Sequence, residues 1–190
     1  MAFPSKPPGS GTSPVQPQLR AARPGDARGI ARVYVDTWRD QYAGILPDRV
    51  LLSMSWRRQE ASWGRALKHR GETILVADQP GDGVVGLGSF GAMRGSGLDY
   101  AGEVYTLYVL PDYQETGLGR ALLLGLFKCL VAEDRKSALI WVLRDNPARF
   151  FYQAMGGRLV GERTEKLWGE KLGEMAYGWP DLRGVLAKTV

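Results

Sequence analysis

Gln114, Gly117 and Gly119 stand three and then two residues apart. They lie between an apolar run that ends at Pro111 and a leucine-rich stretch that begins at Leu118. Glycines let a loop turn tightly, so several backbone N–H groups can point one way. A helix starting there adds its own unpaired donors and the positive end of its dipole. Together these make a cradle for an anion, best a phosphate or pyrophosphate. The spacing alone fits a plain strand-to-helix turn equally well, so both readings stand on this ground. No G-x-x-x-x-G-K-[ST] occurs, so the turn is not a P-loop. An earlier match, Gly86-Leu87-Gly88-Ser89-Phe90-Gly91, has dinucleotide-binding spacing. It lies inside a strand pattern with no helix after it, which that motif requires. Its glycines suit a bulge or a close backbone approach instead.

Glu103 is a second residue able to do chemistry. The expected strand Tyr100–Leu110 puts it with Tyr105, Leu107 and Val109 on one period-2 face. A carboxylate on a face otherwise apolar is either functional or at a strand edge. A bulge in the strand would reverse that parity. His69 sits in Lys68-His69-Arg70-Gly71 at a helix end, where a cation complements the dipole. Cys129 lies among leucines and reads as a small core residue.

The elements that must position these residues follow from periodicity. A short strand over Gln18–Ala22 precedes Arg23-Pro24-Gly25-Asp26, which opens a helix with Ile30, Val33, Tyr34 and Trp38 at helical spacing. A second helical region runs from about Pro47 to Lys68, broken near Met54-Ser55. Strands are expected over Glu72–Asp78, Val84–Met93 and Tyr100–Leu110. The helix from Gly117 to about Ala132 is apolar nearly all round, so it should be buried. Ser137–Leu143 reads as a strand and Pro147–Met155 as a short helix that Gly156-Gly157 ends. Strands over Arg158–Leu167 and Leu172–Trp179 meet through Trp168-Gly169-Glu170. The result is an α/β chain with a mixed, mostly antiparallel sheet and a parallel pair where the buried helix crosses over.

Composition narrows the class. The chain has 190 residues, enough for one domain with an arm. Residues 1–17 hold five of the eleven prolines and no acid, so they read as a flexible arm ahead of a single domain over 18–190. A net charge of +5 is mild and its basic residues are scattered, which argues against a nucleic-acid face and for an anionic small ligand. One cysteine rules out an internal disulfide and a cysteine-rich zinc site. No stretch approaches the ~18 apolar residues of a membrane span, and no secretory core opens the chain, so a cytoplasmic protein is the default.

Two motifs then carry a resemblance. Gln114-Glu115-Thr116-Gly117-Leu118-Gly119 fits [QR]-x-x-G-x-[GA], between an expected fourth strand and the next helix. About thirty residues later, Asn146-Pro147-Ala148-Arg149-Phe150-Phe151-Tyr152-Gln153-Ala154-Met155-Gly156-Gly157 fits N-x-A-x-x-F-Y-x-x-x-G-[FG]. In that order and context they resemble the GNAT superfamily of acetyl-CoA-dependent N-acetyltransferases, over roughly residues 18–180. The resemblance implies the GNAT acyl-CoA N-acyltransferase fold, with its parallel pair splayed. It implies that the turn from Gln114 through Thr116, Gly117, Leu118 and Gly119 to Arg120 holds the pyrophosphate of acetyl-CoA. Leu107 and Val109 would pair their backbone with the pantetheine arm, with Asn146 and Phe151 beside it. A backbone N–H near Val109 would polarise the thioester carbonyl.

The implied chemistry is attack of a primary amine on the thioester, with no metal. An alkyl amine has a pKa near ~10, so a base must take its proton, and the thiolate, near ~8.5, gains from an acid. By the resemblance Tyr152 takes the acid role; read from its neighbours alone, it belongs to an aromatic core stripe with Phe150 and Phe151. Glu103 takes the base role, with Asp99 a weaker rival. Trp38 and Tyr42 stand on the acceptor side, as pocket wall or as core. The acceptor is a small-molecule or peptide amine, and the oligomeric state stays open, a homodimer included. The alternative is a catalytically inactive protein of the same fold that binds CoA or acts as a scaffold.

Overall fold

The computed structural model describes residues 16–69, 71–95 and 97–188. The arm expected over residues 1–17 lies outside the described residues, apart from Gln16 and Pro17. Among the described residues seven strands form one sheet: β1 Gln18–Ala21, β2 Thr73–Gln79, β3 Gly83–Ala92, β4 Gly102–Val109, β5 Ala138–Leu143, β6 Arg158–Leu167 and β7 Glu170–Trp179. Their order is β1-β2-β3-β4-β5-β7-β6, and only β4 and β5 run parallel. The α-helices are α1 Ala27–Gln41, α2 Asp48–Ser53, α3 Trp56–Ala66, α4 Leu118–Ala132, α5 Ala148–Ala154 and α6 Leu182–Ala187. The break expected near Met54-Ser55 is there, and the Ser55 hydroxyl caps α3 by accepting the Arg58 N–H. None of the described helices is long and apolar enough to cross a membrane.

The two faces of the sheet bury separate cores. On one, α4 packs Leu122, Leu123, Leu126, Phe127 and Leu130 against Val104, Ile140 and Trp179. Each such leucine contributes ~1.5–3 kcal/mol by leaving water. The all-round apolarity of α4 follows from its place: α5 and α6 shelter the flank that the sheet does not. On the other face, Ile30 and Val33 of α1 and Trp63 of α3 cover Val76, Val84 and Leu87. The glycines inside β3 allow close approach, as expected. A Cβ on Gly88 would lie 2.7 Å from Leu126 Cδ1. Helix α6 was not legible in the sequence, because six residues are too few to show a period. It is held by Leu182, which is fully buried.

Two features of β4 shape the open end of the sheet. The first is a bulge. Ser89 pairs with Thr106 and Phe90 with Val104, so β4 spends one residue more than β3 at that step. Val104 and Val109 are therefore five apart and yet share the α4 core. The expected face of Glu103 is thus corrected: it lies opposite Val109, because the bulge reverses the parity between them. The second is a splay. The β4–β5 ladder covers only Gly102–Val104 against Ala138–Ile140. Beyond it, β4 pairs only with β3, and β5 only with β7.

Candidate active site

The site begins at the open end of β4. The Leu110 N–H donates to Val85 O at 3.0 Å. Antiparallel bonding alternates along a strand, so the N–H and C=O groups of Leu107 and Val109 point away from β3 and into the splay. The Val109 carbonyl accordingly accepts bonds from elsewhere: the Gln114 Nε2 donates to it at 3.0 Å and the Thr37 hydroxyl at 3.3 Å. Gln114 thereby ties the following turn to the strand end. The Thr116 hydroxyl donates to Tyr113 O at 2.7 Å and tightens the same turn. Gly117 takes φ +87°, a conformation that costs a side chain ~1–2 kcal/mol. Helix α4 then starts with no side chain capping its first N–H groups, so they remain available to an anion.

One groove of about 690 Å³ joins this turn to the start of α5. Its walls include Leu107, Val109, Gln114, Gly117, Gly119, Arg120, Asn146, Phe151 and Tyr152. Most of the expected residues therefore meet. A Cβ on Gly119 would touch only the Phe151 ring, at 3.8 Å, so the bare glycine keeps the groove clear without crowding the protein. Asn146 is 2% exposed, and its Oδ1 accepts the Ala148 N–H at 2.8 Å, fixing the start of α5. Thr116 and Leu118 face a different groove, on the β1 side of the turn, together with Arg32 and Gln79.

At its inner end the groove meets a cavity of about 30 Å³, large enough for a water molecule. The two share Gln41, Asn146 and Tyr152 as walls. Tyr152 is buried, with its ring edge-on to Phe151 and Trp179. Its hydroxyl makes no hydrogen bond to any described residue, and burial pushes its pKa well above the ordinary tyrosine value. Burial raises the Tyr42 phenol too, while Asn146 and Tyr108 draw it back down. Tyr42 lines the cavity; Trp38 stands behind it with ring centroids 4.7 Å apart and also contacts Tyr34 and Trp168.

Glu103 is not brought to this groove. It is 3% exposed and sits about 20 Å along the strand from Val109, at ~3.3 Å per residue. Its carboxylate accepts the Arg94 backbone N–H at 2.9 Å and the Arg94 Nη2 at 2.7 Å. The Arg94 guanidinium in turn lies 3.7 Å over the Tyr105 ring. Sequence reasoning missed Asp40 and Gln41, which line the groove, Gln41 lining the cavity at Tyr152 as well. Asp40 forms no ion pair or hydrogen bond with a described residue. Nothing local marks it, because an acid near a helix end is ordinarily a solvated one.

Comparison with known proteins agrees with this geometry. The acetyltransferase (GNAT) domain family matches residues 70–156, which contain the first motif whole and the second up to Gly156. An uncharacterized N-acetyltransferase of Bacillus subtilis, YuaI, is 37% identical over 165 residues, covering 86% of this chain and 93% of its own. The crystal structure of a GCN5-related N-acetyltransferase from Rhodopseudomonas palustris superimposes with a TM-score of 0.67 at 25% identity, over 89% of this chain and 98% of that one. YncA of Salmonella typhimurium, solved with its cofactor acetyl-CoA, shares the fold at a TM-score of 0.64 and 24% identity, over 87% of this chain and 94% of that one.

Proposed function

Because this chain belongs to the GNAT superfamily of N-acetyltransferases, we propose that it moves an acetyl group from acetyl-CoA to a primary amine of a small molecule or peptide by direct attack. The observation that carries this reading is the single groove running from the Gln114–Arg120 turn to Tyr152. Acetyl-CoA supplies the activated acetyl thioester. The turn and the first N–H groups of α4 take its pyrophosphate. The Leu107 N–H and C=O that face the splay bond the pantetheine arm as a neighbouring strand would, and the Val109 N–H, whose own carbonyl is held by Gln114 and Thr37, polarises the thioester carbonyl. Asn146 and Phe151 flank the arm.

The amine nitrogen forms a bond to the carbonyl carbon and the carbon–sulfur bond breaks. Tyr152 gives its proton to the departing sulfur. Burial raises its pKa, so the phenol is protonated at neutral pH and has the proton to give. The proton of the amine passes through water to Asp40, an unpaired carboxylate that lines the groove. Glu103 has no part in this reading, given its distance and its bonds to Arg94. Tyr42 shapes the acceptor side of the cavity, backed by Trp38. A cytoplasmic setting goes with this reading, since acetyl-CoA is held inside cells.

The test is a thermal melt with and without acetyl-CoA, followed by thiol release with a panel of amines. A ligand held only by the native state adds about 2.7 kcal/mol at a hundredfold excess over Kd. The expected result is a clear rise in Tm and amine-dependent release of CoA thiol. No shift at millimolar acetyl-CoA would sink the reading.

A further inference from the structure

The groove does not end at Arg120. That residue also borders a second cleft, of about 440 Å³, between the C-terminal end of α5 and helix α6. Arg158, at the start of β6, and Lys188, just after α6, line the same cleft. None of these three cations has an ion-pair partner among the described residues. Arg94, Arg144 and Arg163, by contrast, each meet a carboxylate within 2.7 Å. The single acid in the cleft is Asp181, whose Oδ1 accepts the Gly184 N–H at 3.0 Å and caps α6.

Three cations against one carboxylate leave the cleft with two net positive charges. Like charges gathered at one place repel, and an anion of matching charge relieves that repulsion. A phosphate monoester carries about −1.5 to −2 at neutral pH, which matches. Acetyl-CoA has such a group: past the pyrophosphate it continues into an adenosine with a 3′-phosphate. The cleft adjoins the pyrophosphate cradle through Arg120, as a continuing ligand requires.

We propose that Arg158 and Lys188, with Arg120, form a site for the 3′-phosphate of acetyl-CoA, so that α6 and the residue after it belong to the nucleotide end of the site. This rests on the acetyl-CoA reading above. The protein then distinguishes CoA from 3′-dephospho-CoA, and the discrimination resides in two residues outside both sequence motifs.

The test is calorimetric titration of the full chain and of the double variant Arg158→Ala, Lys188→Ala with CoA and with 3′-dephospho-CoA. The wild-type protein should bind CoA about tenfold more tightly, as charge-assisted contacts to a phosphate allow. Raising the salt from about 50 mM to about 300 mM should narrow that gap. In the double variant the two ligands should bind within about twofold of each other. Its retained binding of 3′-dephospho-CoA shows that it is folded. Equal wild-type affinities, or a gap that survives in the double variant, would overturn the proposal and leave the acetyl-CoA reading standing. Failure of the wild-type protein to bind either ligand would overturn both.

Discussion

The two segments of β4, Gly102–Val104 and Leu107–Val109, have only two residues between them and are opposite in use. At the closed end, Gly102–Val104 is bonded on both sides, by β3 and β5. Its one charged residue, Glu103, is fully engaged by Arg94. At the open end, Leu107 and Val109 turn one edge of the backbone away from β3 with no strand alongside it, and only side chains, Gln114 and Thr37, reach the Val109 carbonyl. The bulge at Tyr105-Thr106 separates the two. A carboxylate is thus not a base because it is buried on the right strand. It must also lie where the strand opens. The closed end fixes the sheet, and the opening beside it leaves room for a ligand.

The comparison can be broken most sharply at the turn that the open end feeds. Gly119→Val should raise the Kd for acetyl-CoA about a hundredfold, a loss of roughly 2.7 kcal/mol. Its Tm should hold, since an added Cβ meets only the Phe151 ring at 3.8 Å. Unchanged calorimetric affinity would mean that the turn is no cradle. Tyr152→Phe comes next. It should lower kcat about a hundredfold while leaving the Kd for acetyl-CoA alone. If both constants move together in steady-state and binding assays, Tyr152 only packs the core.

Asp40→Asn should lower kcat/KM for the amine about tenfold, less than a direct base would, because water stands between. An undiminished rate would return the search for a base to the other walls of the groove. Glu103→Gln tests the closed end. Denaturant unfolding should show about 1–2 kcal/mol lost as the charged partner of Arg94 goes, with kcat per folded molecule unchanged. A selective loss of kcat would restore Glu103 to the chemistry.

The smallest effect is on alkaline stability. Burial raises the pKa of the Tyr108 and Tyr152 phenols above the ordinary value of 10.0. Below pH 10 both folded and unfolded chains hold these protons. Above it the unfolded chain releases them first, so it binds fewer protons and stability falls as pH rises. Melts at increasing pH should show a decline beginning near pH 10, of about 1.4 kcal/mol per pH unit for each phenol. A flat profile up to pH 12 would argue that the open end is already wet.

The sequence by itself carried the order of the elements, the turn at Gln114–Gly119 and the helix start at Asn146. These depend on neighbours a few residues away: glycine φ angles, helix caps and the 2.0 and 3.6 periods of apolar residues. The tertiary structure decided the rest. The face of Glu103 depends on the register between β4 and β3, which no residue near Glu103 encodes. Asp40 reaches the groove because α1 packs over the splay. Arg120, Arg158 and Lys188 meet only because α6 folds back beside α5. Where a side chain's role is set by the next few peptide bonds, it could be read in advance. Where it is set by which distant strand or helix lies alongside, only the packed chain could set it, because strand register and helix packing are properties of pairs of segments and not of either one alone.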